Sequence, residues 1–142
     1  MLTLWHTYRV FVIYANANRV EDAREEPPDL SDLDRWALSR LHATTETVRD
    51  RLDDYDATRA GQAIAAFVDD LSNWYVRRSR RRFWDGDERA FFTLRHCLVE
   101  VSKLLAPLVP FVSDEIYENL DGGEPSVHLC DYPAPGERYE AL

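Results

Sequence analysis

The sequence predicts an all-α fold: an antiparallel bundle of four long helices plus a short fifth, closed by a short extended C-terminal segment. Three observations predict it. Apolar residues recur at helical spacing through the long stretches between breaks. Only five glycines and seven prolines occur in 142 residues, and nearly all fall at those breaks. Hydrophobic residues make up 45% of the chain and aromatics 12%, enough to bury a core and too much for disorder. The span 1–142 reads as one domain.

Leu2 to about Ala17 is dense in aromatic and β-branched residues (Trp5, Tyr8, Val10, Phe11, Val12, Ile13, Tyr14). Composition alone permits a strand here, but the run is long and holds no turn signal, so it reads as a buried helix. Residues 19–31 form an acidic connector containing Pro27 and Pro28. Ser31 then caps a second helix, with Asp34 three residues on as an approximate capping box. Its stripe is Leu38, Leu41, Thr45, Val48, Leu52 and Tyr55. Asp56 caps a third and longest helix, running to about Arg82, with Ile64, Phe67, Val68, Leu71, Trp74, Tyr75 and Arg78 inward. Trp74 and Tyr75 read as core residues.

Asp85-Gly86 breaks the chain, and Asp87 caps a fourth helix burying Phe91, Leu94, Leu98, Val101 and Leu105. Pro107 and Pro110 interrupt it, because proline lacks an N–H and clashes with the preceding turn. A fifth helix runs from about Phe111 to Leu120, ended by Asp121-Gly122-Gly123. From about 124 to 142 the chain is a tail, with Ser126-Val127-His128-Leu129 as a short extended segment.

Most catalytic chemistry is excluded. No Gly-rich phosphate loop, GxSxG or HExxH motif occurs. The four histidines, His6, His42, His96 and His128, and the two cysteines, Cys97 and Cys130, lack metal-ligand spacing. Two lone thiols, no leader pattern and no membrane-length apolar run of about 18 residues fit a cytoplasmic protein. Asp69-Asp70 reads as a solvated or arginine-paired couple rather than a catalytic dyad.

The formal net charge is −9, which would repel nucleic acid, and Lys103 is the only lysine. A salt-rich cytoplasm or a GC-rich genome would each produce that bias. Against this background Arg77, Arg78, Arg80, Arg81 and Arg82 are concentrated in six positions. At about 100° per residue, Asn73, Arg77, Arg80, Arg81 and Trp84 fall outside the apolar stripe. Arg78 and Arg82 fall nearer the core and would need acidic partners. The outward set suits RNA, with guanidinium groups on phosphates and an aromatic ring on unpaired bases. The same residues could instead pair with the chain's carboxylates and hold the bundle together; the residues alone leave both readings open.

The segment from Asp70 to Trp84, Asp-Leu-Ser-Asn-Trp-Tyr-Val-Arg-Arg-Ser-Arg-Arg-Arg-Phe-Trp, resembles a helix of the isoleucyl-tRNA synthetases, a class I family. Leu4-Trp5-His6-Thr7-Tyr8-Arg9, Tyr14-Ala15-Asn16 and Asp34 to Leu41 resemble the same family in the same order. So do the Pro-kinked stretch Leu105 to Tyr117, Ser126 to Leu129 and Asp131-Tyr132-Pro133. The Arg run and Ser-Val-His-Leu argue against valyl-, leucyl- or methionyl-type relatives. The resemblance implies a helical bundle that grips the anticodon stem-loop of isoleucine tRNA beside a catalytic domain. That parent would use ATP and Mg. The HxGH-type and KMSKS-type motifs of catalysis are missing, so the stretch is expected to begin downstream of both, with no cofactor and no aminoacylation of its own. The rival reading is a structural bundle whose arginines face the catalytic domain.

Overall fold

The computed structural model describes residues 2–17, 30–120 and 123–134. Most of the 19–31 connector, the Asp121-Gly122 break and the tail beyond 134 lie outside these residues. The described elements are α1 (Leu2–Ala17), α2 (Asp32–Asp53), α3 (Ala57–Asp70), a π-helical turn (Leu71–Val76), α4 (Arg80–Trp84), α5 (Glu88–Leu105), α6 (Pro110–Asn119) and a 3-10 turn (Val127–Leu129). No strand occurs among the described residues, so the helical reading of the aromatic first segment holds.

The caps lie where the sequence puts them. Ser31 Oγ accepts the Asp34 N–H and Asp34 accepts the Ser31 N–H, a reciprocal box at the start of α2. Asp56 and Asp87 accept the backbone N–H groups of Arg59 and Arg89. Pro107 and Pro110 end α5 and start α6, with Pro110 in the first turn, where its missing N–H costs nothing.

The hairpin of α2 and α3 turns in a Schellman motif. The Asp56 N–H bonds to the Arg51 carbonyl and the Tyr55 N–H to that of Leu52, with Tyr55 left-handed at φ 59°. This corrects the reading of Tyr55 as the last member of the α2 stripe: the helix ends before it, and its ring is 97% exposed. Gly86 closes α4 in the same way at φ 74°, a conformation glycine adopts without penalty. Asp34–Tyr75 and Arg40–Asp70 are nested pairs around the Tyr55 turn, so the two arms run antiparallel.

The expected single third helix is three pieces, and the reason lies in its buried line. Phe67, Leu71, Tyr75, Ser79 and Phe83 are all buried, each four residues after the last. On a regular α-helix every four-residue step drifts about 40°. The wider π turn absorbs much of that drift and keeps the line on the core. The same shift turns Trp74 outward, to 50% exposure, and leaves Arg78 on the surface. A constant 100° rotation places both inward, and the structure corrects that expectation. The Ser126–Leu129 segment is a 3-10 turn rather than extended. With no neighbouring strand to take its backbone bonds, Ser126 caps the turn by accepting the His128 N–H, and Asp114 accepts the Ser126 hydroxyl and the Val127 N–H.

The core is knit by aromatic rings around Phe83. It lies 5.3 Å from Phe91, 6.1 Å from Tyr14 and 6.3 Å from Tyr75 between ring centroids, and so joins α1, the π turn, α4 and α5. Phe83→Ala should therefore cost about 3–5 kcal/mol in urea unfolding. Trp74→Ala, on the surface, should cost less than about 1 kcal/mol. Equal losses for the two would show that the π turn does not set the register.

Candidate nucleic-acid interface

The interface begins with what fixes the arginine segment. Asp34 is fully buried at the third position of α2, yet every oxygen is engaged. Its Oδ1 accepts from Tyr75 OH at 2.6 Å and Arg82 Nη1 at 2.9 Å; Oδ2 accepts from Arg82 Nη2 at 2.7 Å and the Ser31 N–H at 3.1 Å. Arg82 Nε reaches Asp87, the cap of α5, at 3.1 Å. One guanidinium thus joins the starts of α2 and α5 to α4, in the forked geometry that makes arginine–carboxylate pairs strong.

Burial by itself pushes the Asp34 carboxyl up, but the hydrogen bonds from Arg82 and Tyr75 and the Arg82 charge outweigh it and hold it below its ordinary 3.8. Burial, with the Asp34 charge beside it, pushes the Tyr75 hydroxyl well up, so it stays a donor. The acidic partner expected for Arg82 is Asp34, with Asp87 as a second. The partner expected for Arg78 is not acidic: its Cζ lies 4.7 Å from the centroid of the Trp74 ring, a cation–π contact on the surface.

The five residues singled out as RNA contacts, Asn73, Arg77, Arg80, Arg81 and Trp84, are all exposed, Trp84 by 71%. The backbone stays near-helical through them apart from the turn at Ser79. Asn73, Arg77 and Arg81 follow at four-residue intervals, as do Arg80 and Trp84, so each set lines one face. Arg81 has only a loose 4.0 Å contact with Asp85, and its side chain is 93% exposed. Among the described residues no carboxylate pairs with Arg77, Arg78 or Arg80. By contrast Asp70, one of the acidic couple, is held by Arg40 at 2.7 Å.

Two features go beyond what the sequence predicts. One is the Asp34 hub, because Asp34 read only as a cap. The other is an open groove of about 410 Å³ between α2 and the π turn, lined by Leu33, Trp36, Trp74 and Arg78. The four-residue spacing of the buried line was the signal for the groove, and the need of an inward Arg82 for an acidic partner was the signal for the hub. Among the described residues no group of three His, Cys, Asp or Glu could hold a metal ion, and no helix is long and apolar enough to cross a membrane.

Residues 34–142 match the family model described as the anticodon-binding domain of tRNA ligase. The chain belongs to that family. The match takes in the whole arginine segment and the hub that anchors it. The domain is also 49% identical over 140 residues to isoleucine–tRNA ligase 2 of Bacillus cereus, covering 95% of this chain. It is 47% identical over 140 residues to isoleucine–tRNA ligase of Streptomyces coelicolor and 48% over 136 residues to that of Deinococcus radiodurans, covering 94% and 92% of the chain. In each case it spans 13% of the relative's length.

The hub makes stability pH-dependent with a definite sign. Asp34 has a folded pKa below its unfolded one, so its contribution is present above the ordinary carboxylate value and is lost as pH falls through the lowered folded value. Asp34→Asn should cost roughly 3–5 kcal/mol at neutral pH, since it leaves the half-buried Arg82 with Asp87 alone as a charged partner. The gap between wild type and variant in urea unfolding should close as pH drops below about 3.8. A gap that is constant with pH would mean that Asp34 is not an ionised partner of Arg82.

Proposed function

We propose that this chain is the part of an isoleucine–tRNA ligase that holds the anticodon stem-loop of isoleucine tRNA, through phosphate contacts of Arg77, Arg80 and Arg81. Asn73 adds polar contacts and Trp84 an aromatic face. The observation that carries the reading is the run of exposed arginines on one helical segment, of which, among the described residues, only Arg81 meets a carboxylate and that one loosely, in a chain of net charge −9. Arginines retained only for bundle stability would be expected to look like Arg82, half buried and doubly paired. The amino acid comes from the relatives, which are isoleucine–tRNA ligases.

On this reading the catalytic domain of the parent enzyme is the second partner, and aminoacylation with ATP and Mg takes place there, in the cytoplasm. The domain's own role is to add binding energy and fix the orientation of the RNA, which counts toward catalysis when it is realised at the reacting end.

Phosphate binding by arginine has a measurable fingerprint. Each of Arg77→Gln, Arg80→Gln and Arg81→Gln should weaken stem-loop binding across loop sequences alike and lower the slope of log affinity against log salt by about one unit. Arg82→Gln should lower thermal stability first. If none of the three outward changes moves affinity or slope, the arginines serve a protein contact and the reading fails.

A further inference from the structure

We propose that the groove between α2 and the π turn is the seat of a single unpaired base of the bound RNA, stacked against Trp36 and Trp74 and gripped by Arg78. This rests on the tRNA-binding reading and names a site within it. Leu33 and Trp36 are one turn apart on α2, and Trp74 and Arg78 are one turn apart on the facing segment. Together they line about 410 Å³, within the range of roughly 300–1,000 Å³ common for small-ligand sites.

The lining fits a planar, electron-rich group on a polyanion. Two indole rings offer flat apolar surface, and one of them, Trp74, is half exposed even though a large ring in water costs free energy. The Arg78 guanidinium already lies 4.7 Å over that ring, so a planar donor group is held at the mouth of the groove. It can stack on a base or fork onto its acceptors.

Among the described residues no carboxylate lines the groove. The nearest buried acid, Asp34, has both oxygens taken by Arg82, Tyr75 and Ser31. A cationic peptide is therefore disfavoured. Arg77 and Arg81 follow on the same segment and are exposed, ready for the phosphates on either side of a splayed nucleotide. A paired stem keeps its bases stacked inside, so the occupant is a loop nucleotide.

Stacking and phosphate contact separate by salt. The test uses this chain and the anticodon stem-loop of isoleucine tRNA, with Kd measured at several salt concentrations for wild type, Trp74→Ala and Trp74→Phe. A set of stem-loops, each abasic at one loop position, completes it. Trp74→Ala should weaken binding roughly 5- to 150-fold with the salt slope unchanged, and Trp74→Phe should recover most of the loss. One abasic RNA should lose a similar factor against wild type and nothing more against Trp74→Ala. If Trp74→Ala binds like wild type while Arg77→Gln or Arg81→Gln still lowers the slope, the groove serves a protein segment and the proposal fails while the tRNA reading stands. If every abasic RNA loses equally in both backgrounds, the proposal also fails. A wild-type chain that does not bind the stem-loop overturns both.

Discussion

A buried carboxylate with a single forked arginine partner constrains everything else in this bundle. Asp34 lies with no access to water, and a bare charge there would be prohibitively costly. Arg82, Tyr75 and the Ser31 backbone saturate it. Those bonds come from three separate segments, so the charge can be buried only when α2, the π turn and α4 are all in place. The next bond of Arg82, to Asp87, adds the start of α5. The pair is weak evidence for net stability, since a buried ion pair barely offsets its own desolvation. Its consequence is specificity of position: it fixes which residue of the arginine run points inward, and so which ones are left outside.

That placement explains how an acidic chain can carry a basic function. Net charge acts at long range, and at physiological ionic strength charges separated by more than about 8 Å are largely screened from one another. An RNA strand at the surface therefore responds to the local cluster rather than to the −9 of the whole. Arg77, Arg78, Arg80 and Arg81 lie within one and a half turns of chain, and among the described residues the one acid in loose contact with them, Asp85, is itself well exposed. Most other acids whose pairings are described are occupied elsewhere: Asp70 with Arg40, Asp56 with Arg59, Glu100 with Lys103. Substituting arginine for lysine almost throughout also suits the task, because a planar fork both binds phosphate and stacks on rings.

Much of this was legible before any coordinates. The caps at Ser31, Asp56 and Asp87 and the break at Pro107 and Pro110 are local signals, decided by hydrogen bonds within a few residues. The inward residues of α5 follow from simple periodicity. The outward position of Arg77, Arg80, Arg81 and Trp84 survived because those residues lie far enough from the stripe to tolerate an error of rotation. Trp74 and Arg78 lie at its edge and did not. A π turn widens the helix by one backbone bond, and no single residue announces it. What announces it is the run Phe67, Leu71, Tyr75, Ser79, Phe83, whose four-residue spacing would spiral off the core of a regular helix. Tyr55 failed for a similar reason, since a left-handed tyrosine ends α2 where a glycine would have been expected. The 3-10 turn at Val127 depends on Asp114, a contact across 13 residues that no local pattern shows.

On the proposed function, one short segment divides its labour, with Arg82 consumed by the protein and its neighbours left for RNA. The most direct measurement follows the arginine side-chain Nε–H signals by NMR while an anticodon stem-loop is titrated in. The Arg82 signal should be protected from solvent exchange in the free protein and unmoved by RNA, while those of Arg77, Arg80 and Arg81 exchange quickly when free and shift on binding. An Arg82 signal that shifts with RNA while the other three stay still would contradict the account.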